Sequence, residues 1–119
     1  MSREAYVHKV MAIFEPMGDQ RLQEEIDAIK LALQSNQAEY AAGTLIPRLY
    51  AKHKKIVLDD LLSAMPIEGF DRPRRLIQEG SYRAAAHEID RLVDSGLGLW
   101  RPSEKELATM KNFWDYYCG

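Results

Sequence analysis

The stretch that decides the fold class is residues 19–35, which read DQRLQEEIDAIKLALQS. Apolar side chains recur there at every third or fourth position, so they form one stripe along a helix. The stripe consists of Leu22, Ile26, Ile29 and Leu33. Because the acidic residues fall mostly outside this stripe and Asp19 is placed to cap the first turn, we predict an amphipathic helix that runs to about Ser35.

Cap and breaker residues predict further helices on both sides of this one. Ser2 is placed to cap a first helix that runs to Phe14, and Pro16 and Gly18 then end that helix. Proline cannot continue a helix, and glycine adopts the left-handed backbone that often follows a helix end. The chain therefore opens with two consecutive helices.

The middle of the chain predicts a long helix. Gly43 closes a short helical turn, after which Thr44 can cap a helix over residues 45–65. Pro47 is tolerated in its first turn, where amide groups have no helical partner anyway. The polar run 52–55 interrupts the apolar stripe, so one continuous helix and two shorter helices both remain open.

Two shorter helices follow, separated by the dipeptide Gly80–Ser81. Asp71 is placed to cap the first, over residues 72–79, and Ser81 the second, over residues 82–94. From Gly80 the chain reads Gly-x-Tyr-x-x-Ala-x-x-x-Ile-x-x-Leu, which resembles the turn and second helix of a tetratricopeptide repeat. No second copy follows at the repeat's period of about 34 residues, so the resemblance implies a single helical hairpin.

The last helix carries the clearest start signal. Ser103 and Glu106 form an S-x-x-E capping box, in which each side chain accepts a hydrogen bond from the other residue's free amide. This predicts a helix that starts at Glu104. Since no segment shows sustained strand alternation, we predict an all-α fold: a compact bundle of five or six antiparallel helices with short loops, in a single domain over residues 1–119.

Cysteine use and hydropathy predict a location. The chain has one cysteine, Cys118, so it has no internal disulfide; we predict a surface thiol in a reducing compartment. Glu4, His8 and Lys9 interrupt the apolar residues at the start, and nowhere do about 18 apolar residues run together. We therefore predict a cytoplasmic protein with no signal peptide and no membrane span.

Residue patterns that carry catalysis or bind cofactors are missing from the sequence. His8, His53 and His87 fall on different predicted helices, and there is no cysteine cluster, so no metal-ligand set is recognisable. Neighbouring carboxylates in a helix point about 100° apart and do not face a common substrate. We predict that the protein is not an enzyme and binds no cofactor or metal.

A basic segment in the middle of the chain could contact nucleic acid. Residues 44–83 hold eight basic and five acidic side chains, although the chain as a whole has a net charge of −2. Such side chains could follow a phosphate backbone. The candidate contacts are Arg48, Lys52, Lys55, Arg74, Arg75 and Arg83. Interspersed carboxylates favour the simpler interpretation that these are solvated helix faces.

Aromatic residues near the end of the chain favour protein binding. Tyrosine and tryptophan are enriched in binding hot spots because they bury a large area at a low entropy cost. Leu107, Met110, Trp114 and Tyr117 share the face expected to pack on the core, so Phe113 and Tyr116 are predicted to point partly outward. With Trp100 they form the predicted contact patch.

These observations favour a non-enzymatic protein-binding module: a small regulator, inhibitor, immunity-type or adaptor protein that occupies the surface of a partner. The partner is another protein, and self-association into a homo-oligomer through the same patch is an alternative use of it. A nucleic-acid-binding regulator that uses the residues from Arg48 to Arg83 is the competing hypothesis.

Overall fold

Helices joined by short turns make up most of the described chain. The structure is a computed structural model, and it describes residues 2–95 and 100–118. No strand occurs in these two ranges, so the predicted all-α class is confirmed. The α-helices are α1 (Arg3–Phe14), α2 (Gln23–Gln34), α3 (Ala38–Tyr40), α4 (Ile46–Ala64), α5 (Asp71–Gln78), α6 (Tyr82–Asp94) and α7 (Glu104–Tyr117).

Contacts between residues divide the chain into two compact units. Unit 1 is Met1–His53 and unit 2 is Lys54–Gly119, so α4 begins in the first and ends in the second. α4 runs through residues 52–55 without a break, and one helix is therefore the correct alternative there. The prediction of a single domain over residues 1–119 stays a prediction.

Two of the predicted caps of unit 1, Ser2 and Asp19, are confirmed. Ser2 Oγ accepts a hydrogen bond from the Ala5 amide at 3.1 Å, and Asp19 Oδ1 accepts one from the Arg21 amide at 3.0 Å. Each bond satisfies an amide that has no partner inside its helix. Asp19 caps a 3-10 turn, Gln20–Leu22, which leads directly into α2.

The apolar stripe of α2 packs into the core of unit 1, as its spacing predicts. α2 ends one residue before Ser35, where Asn36 takes a left-handed backbone with φ of 61° and the Gln37 amide donates to the Ala32 carbonyl at 2.8 Å. This is the Schellman arrangement that closes many helices. The buried apolar residues of unit 1 are Val7, Val10, Met11, Phe14, Leu22, Ile26, Ile29, Ala32, Ala41, Leu45, Ile46 and Leu49.

The prediction that Gly43 closes a turn and Thr44 starts a new helix is wrong. α3 continues through a π-helix, Ala41–Leu45, into α4, and the Ile46 amide bonds to the carbonyl five residues before it. Pro47 explains the wider turn. It has no amide hydrogen, and its ring would clash with the carbonyl four residues earlier in a regular helix, so a π turn relieves the conflict without ending the helix.

In unit 2, α5 and α6 form the predicted helical hairpin. Gly80 has a φ of 82°, and the Ser81 amide donates to the Leu76 carbonyl at 2.9 Å, which is again a Schellman end. The left-handed backbone at Gly80 strains any residue with a Cβ. Ala85 is fully buried in the hairpin, where its small side chain permits close approach of the helices.

Only one of the three predicted helix caps in unit 2 is confirmed. Phe70, and not Asp71, holds the N-cap position of α5; Asp71 is its first residue. Ser81 precedes α6, but its hydroxyl makes no capping bond, because its ψ of 64° departs from the extended backbone of a working cap. The capping box of α7 is confirmed: the Glu106 amide donates to Ser103 Oγ at 3.2 Å, and the Ser103 amide to Glu106 Oε1 at 3.0 Å.

The core of unit 2 draws side chains from α4 to α7. Its buried members are Val57, Leu61, Met65, Phe70, Ile77, Ala85, Ala86, Ile89, Phe113 and Cys118. The prediction of a surface thiol is therefore wrong, because Cys118 is 5% exposed. Burial raises the pKa of the Cys118 thiol, against the opposing charge of Arg83.

Candidate functional site

α7 packs on the core largely through the face that the sequence predicted, since Met110, Trp114 and Tyr117 contact the core, but Phe113 and Leu107 depart from the prediction. Phe113 is 1% exposed, and its ring packs edge-on against that of Tyr82 with centroids 6.0 Å apart. Leu107, predicted on the core side, is 49% exposed. The prediction that Phe113 points outward is wrong, because a phenylalanine ring has no polar atom and gains most from complete burial. A side chain this buried offers no surface to a partner.

Tyr116 points partly outward from α7, as predicted, with 44% of its surface exposed. Nine positions separate Leu107 from Tyr116, and at about 100° per residue this corresponds to a rotation of about 180° around the helix axis. α7 therefore exposes two large apolar side chains to a similar extent on opposite faces.

Trp100 is held by the start of α7. Its indole Nε1 donates to Glu106 Oε2 at 3.2 Å, and its ring meets that of Phe70 edge-on at 5.2 Å. Hydrogen bonds from the Ser103 backbone and side chain, and then from Trp100, lower the pKa of Glu106. Trp100 thus ties the residues before α7 to the capping box, and its role as a partner contact stays a prediction.

Leu107 borders a cavity between α6 and α7, which we call the α6–α7 groove. Its volume is about 270 Å³, and its floor is apolar, since Ala86, Ile89 and Phe113 are buried there. The lining consists of Ala86, Ile89 and Asp90 of α6 and of Leu107, Met110, Lys111, Phe113 and Trp114 of α7. Spacings of three, four and seven residues place these side chains along one edge of each helix.

Charged groups sit on both walls of the groove. Asp90 is the one carboxylate among the lining residues. Burial and the charge of Asp94 raise the pKa of Asp90, while His87 opposes them. Lys111 lines the opposite wall, yet no ion pair joins it to Asp90 within residues 2–95 and 100–118. The groove therefore combines an apolar floor with a carboxylate and an ammonium that form no ion pair with each other.

The edge of the groove next to Asp90 is aromatic. The His87 ring meets the Trp114 ring edge-on, with centroids 5.4 Å apart, and Trp114 is half-buried. Aromatic side chains at the rim of a cavity supply contact area with little loss of side-chain entropy.

Two of the predicted nucleic-acid contacts hold helix ends. Arg74 Nη2 donates to the carbonyls of Leu62 at 2.6 Å and Met65 at 2.9 Å, where α4 ends. Arg83 donates to the Cys118 carbonyl through Nε at 3.3 Å and Nη2 at 3.1 Å, where α7 ends. A cation is favourable at the carbonyl end of a helix, whose dipole is negative there. Both side chains thus have a structural role.

Another predicted contact, Lys52, is paired within unit 1. Its Nζ lies 2.8 Å from Glu25 Oε1, and this hydrogen bond raises the pKa of Lys52. Arg48, Lys55 and Arg75 are exposed, with no hydrogen bond or ion pair to another described residue. Contact of any of these residues with nucleic acid stays a prediction.

The three histidines have different surroundings. His53 is buried in unit 1, where its ring meets the Phe14 ring edge-on at 5.2 Å; burial lowers the pKa of His53, and the charge of Asp19 opposes this. His8 lies exposed on α1, and His87 contacts Trp114. In the described part of the chain, no three His, Cys, Asp or Glu side chains come together as ligands for a metal ion.

Comparison of the chain with protein-family models, curated proteins and solved structures finds no significant match. None of the helices that the structure describes has the length and apolar character needed to cross a bilayer.

Sequence reasoning missed the α6–α7 groove. The spacing of Leu107, Met110 and Trp114 was visible, but a stripe on one helix does not reveal whether the neighbouring helix covers it completely. A weaker signal was the like-charged pair Asp90 and Asp94, one turn apart on α6. Such pairs are unfavourable on an isolated helix and favour a nearby cation.

Proposed function

We propose that the chain is a non-enzymatic protein-binding module and that the α6–α7 groove is its contact surface. It would act as a small regulator, inhibitor, immunity-type or adaptor protein. The observation that carries this proposal is Leu107, half-exposed at the rim of a cavity whose floor is already closed by Ile89 and Phe113. Apolar side chains around a preformed pocket are typical centres of protein interfaces.

Side chains of the rim support the same proposal. Met110 and Trp114 are half-buried, so each still presents apolar surface. Methionine and tryptophan are both enriched at protein interfaces. The volume of about 270 Å³ lies below the range of roughly 300 to 1,000 Å³ that is usual for small-molecule sites. One or two side chains of a partner are a better match to it than a metabolite is.

We further propose a cytoplasmic location, which the single, unpaired Cys118 favours. A second copy of the chain is one possible partner, which would make the groove the interface of a homo-oligomer. Trp100 supports the groove indirectly through its bond to Glu106 at the start of α7.

α7 supplies a matched pair of variants for the test. Leu107→Gln removes apolar surface from the groove, and Tyr116→Gln removes a similar exposed fraction from the opposite face. Glutamine is a good helix former and adds no charge. Because both side chains are about half exposed, each change should alter the free energy of unfolding by about 1 kcal/mol or less.

The experiment is affinity capture from lysate of the source cells with the tagged full chain and both variants, quantified by mass spectrometry. We expect wild type and Tyr116→Gln to retain the same protein in near-stoichiometric amounts, and Leu107→Gln to lose it by about tenfold or more. Loss with Tyr116→Gln alone would assign binding to the side of α7 that carries Tyr116. If neither the wild type nor either variant retains a partner protein in near-stoichiometric amounts, the binding-module proposal is wrong.

A nucleic-acid-binding regulator remains the second candidate, and one observation favours it. Arg48, Lys55 and Arg75 are exposed cations without partners among the described residues. If all three contacted phosphates, the affinity for duplex DNA would fall roughly 40-fold between about 50 and 200 mM salt. Replacing them together with glutamine should abolish that dependence, while Leu107→Gln should leave it unchanged.

A further inference from the structure

The chemistry of the α6–α7 groove narrows the class of partner. Ala86, Ile89 and Phe113 close its floor, and Leu107 and Met110 expose apolar surface at its rim, so an occupant must supply an apolar group to displace water from that rim. At about 270 Å³, the cavity suits one or two side chains, which would project from a segment lying across Leu107 and Met110.

The carboxylates on the α6 wall of the groove determine which charge the occupant should carry. Asp90 lines the cavity, and Asp94 lies one turn further along the same helix. Each of these carboxylates is repelled by the other, and partial desolvation by the groove adds to the cost of charge on Asp90, although its side chain is exposed. A cation brought against Asp90 would relieve both effects, whereas an anion would add to them.

Lys111 is the one competing cation on the lining. It faces the same cavity from α7 without an ion pair to Asp90 in the described part of the chain. His87, which faces Asp90 from the preceding turn of α6, already contacts Trp114. The carboxylate of Asp90 is therefore available to an incoming group.

We propose that the α6–α7 groove receives an apolar protein segment that carries a lysine or arginine, with the apolar side chain in the cavity and the cation against Asp90. This rests on the proposed protein-binding function and adds the sign of the partner's charge. Asp90 is then the specificity-determining residue, while Leu107 and Met110 supply contact area.

Three matched probes test this on the full chain: 4-phenylbutylamine, 4-phenylbutanol and 4-phenylbutyrate. They share a phenyl ring on a short alkyl chain and differ mainly in the end group, which is an ammonium, a hydroxyl or a carboxylate. Binding is followed by NMR through the backbone amide signals of Ala86, Asp90, Leu107 and Lys111. We expect the amine to bind about fivefold tighter than the alcohol, since partly exposed ion pairs are worth up to about that factor, and the carboxylate to bind most weakly.

Two variants that each remove one charge separate the contributions of Asp90 and Lys111 to binding. Asp90→Asn should make the amine and the alcohol bind equally, because it removes the charge and keeps the shape. Lys111→Gln should widen the amine's advantage, because it removes the competing cation. Tyr116→Gln is the control, and it should leave all three affinities unchanged.

Four outcomes would overturn the proposal, and they differ in what they leave standing. Equal binding of amine and alcohol by wild type would leave an apolar protein-binding groove without charge selection. A preference of the wild type for the carboxylate probe that is lost in Lys111→Gln would mean that the groove selects a negatively charged partner through Lys111. Concentration-dependent shifts of the same amides without a probe would assign the groove to a second copy of the chain. No shift with any probe would overturn the groove itself and the proposed function with it.

Discussion

The α6–α7 groove and the basic residues between Arg48 and Arg83 differ in how far the fold already uses their side chains. Arg74 and Arg83 donate to carbonyls at the ends of α4 and α7, and Lys52 is bonded to Glu25. In the groove, Leu107 keeps about half of its surface exposed beside an open cavity. Residue type thus indicates which interactions a side chain can make, but its partners within the fold decide which of them remain available.

The sharpest form of this comparison is between Phe113 and Tyr116, which lie three positions apart on α7. Phe113→Ala should lower the free energy of unfolding by about 3 to 5 kcal/mol, because it opens a cavity in the core of unit 2. Tyr116→Ala should cost less than half as much, because that side chain is 44% exposed. Urea unfolding of the full chain measures both, and similar values for the two variants would contradict the orientation of α7.

A second comparison lies within the basic residues, between neighbours in sequence. Arg74→Met should cost about 1.5 to 3 kcal/mol, because it removes charged hydrogen bonds to the Leu62 and Met65 carbonyls. Arg75→Met should be close to neutral, because that side chain is exposed without a partner among the described residues. A larger loss at Arg75 than at Arg74 in thermal unfolding would mean that the exposed arginine is the structural one.

Serine caps allow the same comparison on a smaller scale. Ser103→Ala breaks the capping box of α7 and should cost about 1 kcal/mol. Ser81→Ala is the control, because Ser81 stands before α6 without making a capping bond, and it should cost less than half as much. Circular dichroism during chemical unfolding distinguishes them, and equal costs would argue against the difference in backbone geometry.

The smallest expected effect is that of pH on the stability of unit 1. Burial lowers the pKa of His53 below its usual value of 6.5, so the unfolded chain binds this proton more readily than the folded chain does. Stability is therefore greatest above pH 6.5 and falls as the pH is lowered through the window beneath it. His53→Gln should flatten this dependence. A slope that survives in His53→Gln would assign it to other groups.

Much of the helical pattern followed from local sequence signals. Ser2, Asp19 and the pair Ser103–Glu106 cap helices as predicted, because a capping side chain bonds to an amide two or three residues away. Gly80 ends α5 because its left-handed backbone suits glycine. Such signals depend on neighbours in the chain and need no knowledge of the tertiary fold.

The predictions that were wrong concern features that depend on tertiary contacts, which the local sequence does not specify. Pro47 was compatible with a helix start, and only the π turn before it shows how α3 continues into α4 instead. Leu107 is exposed and Phe113 is buried, the reverse of the prediction, because packing against α6 decides which side chains of α7 face inward. Arg74 and Arg83 have their acceptors 9 to 35 positions away, beyond any local pattern.

The most direct test of the groove as a binding surface is site-specific crosslinking in the source cells. The photoreactive residue p-benzoylphenylalanine is placed at Leu107 in one variant and at Tyr116 in another, and covalent adducts are resolved by mass. We predict one dominant protein adduct from position 107 and little or none from position 116. The same protein adduct from position 116, with none from position 107, would contradict the assignment of binding to the α6–α7 groove.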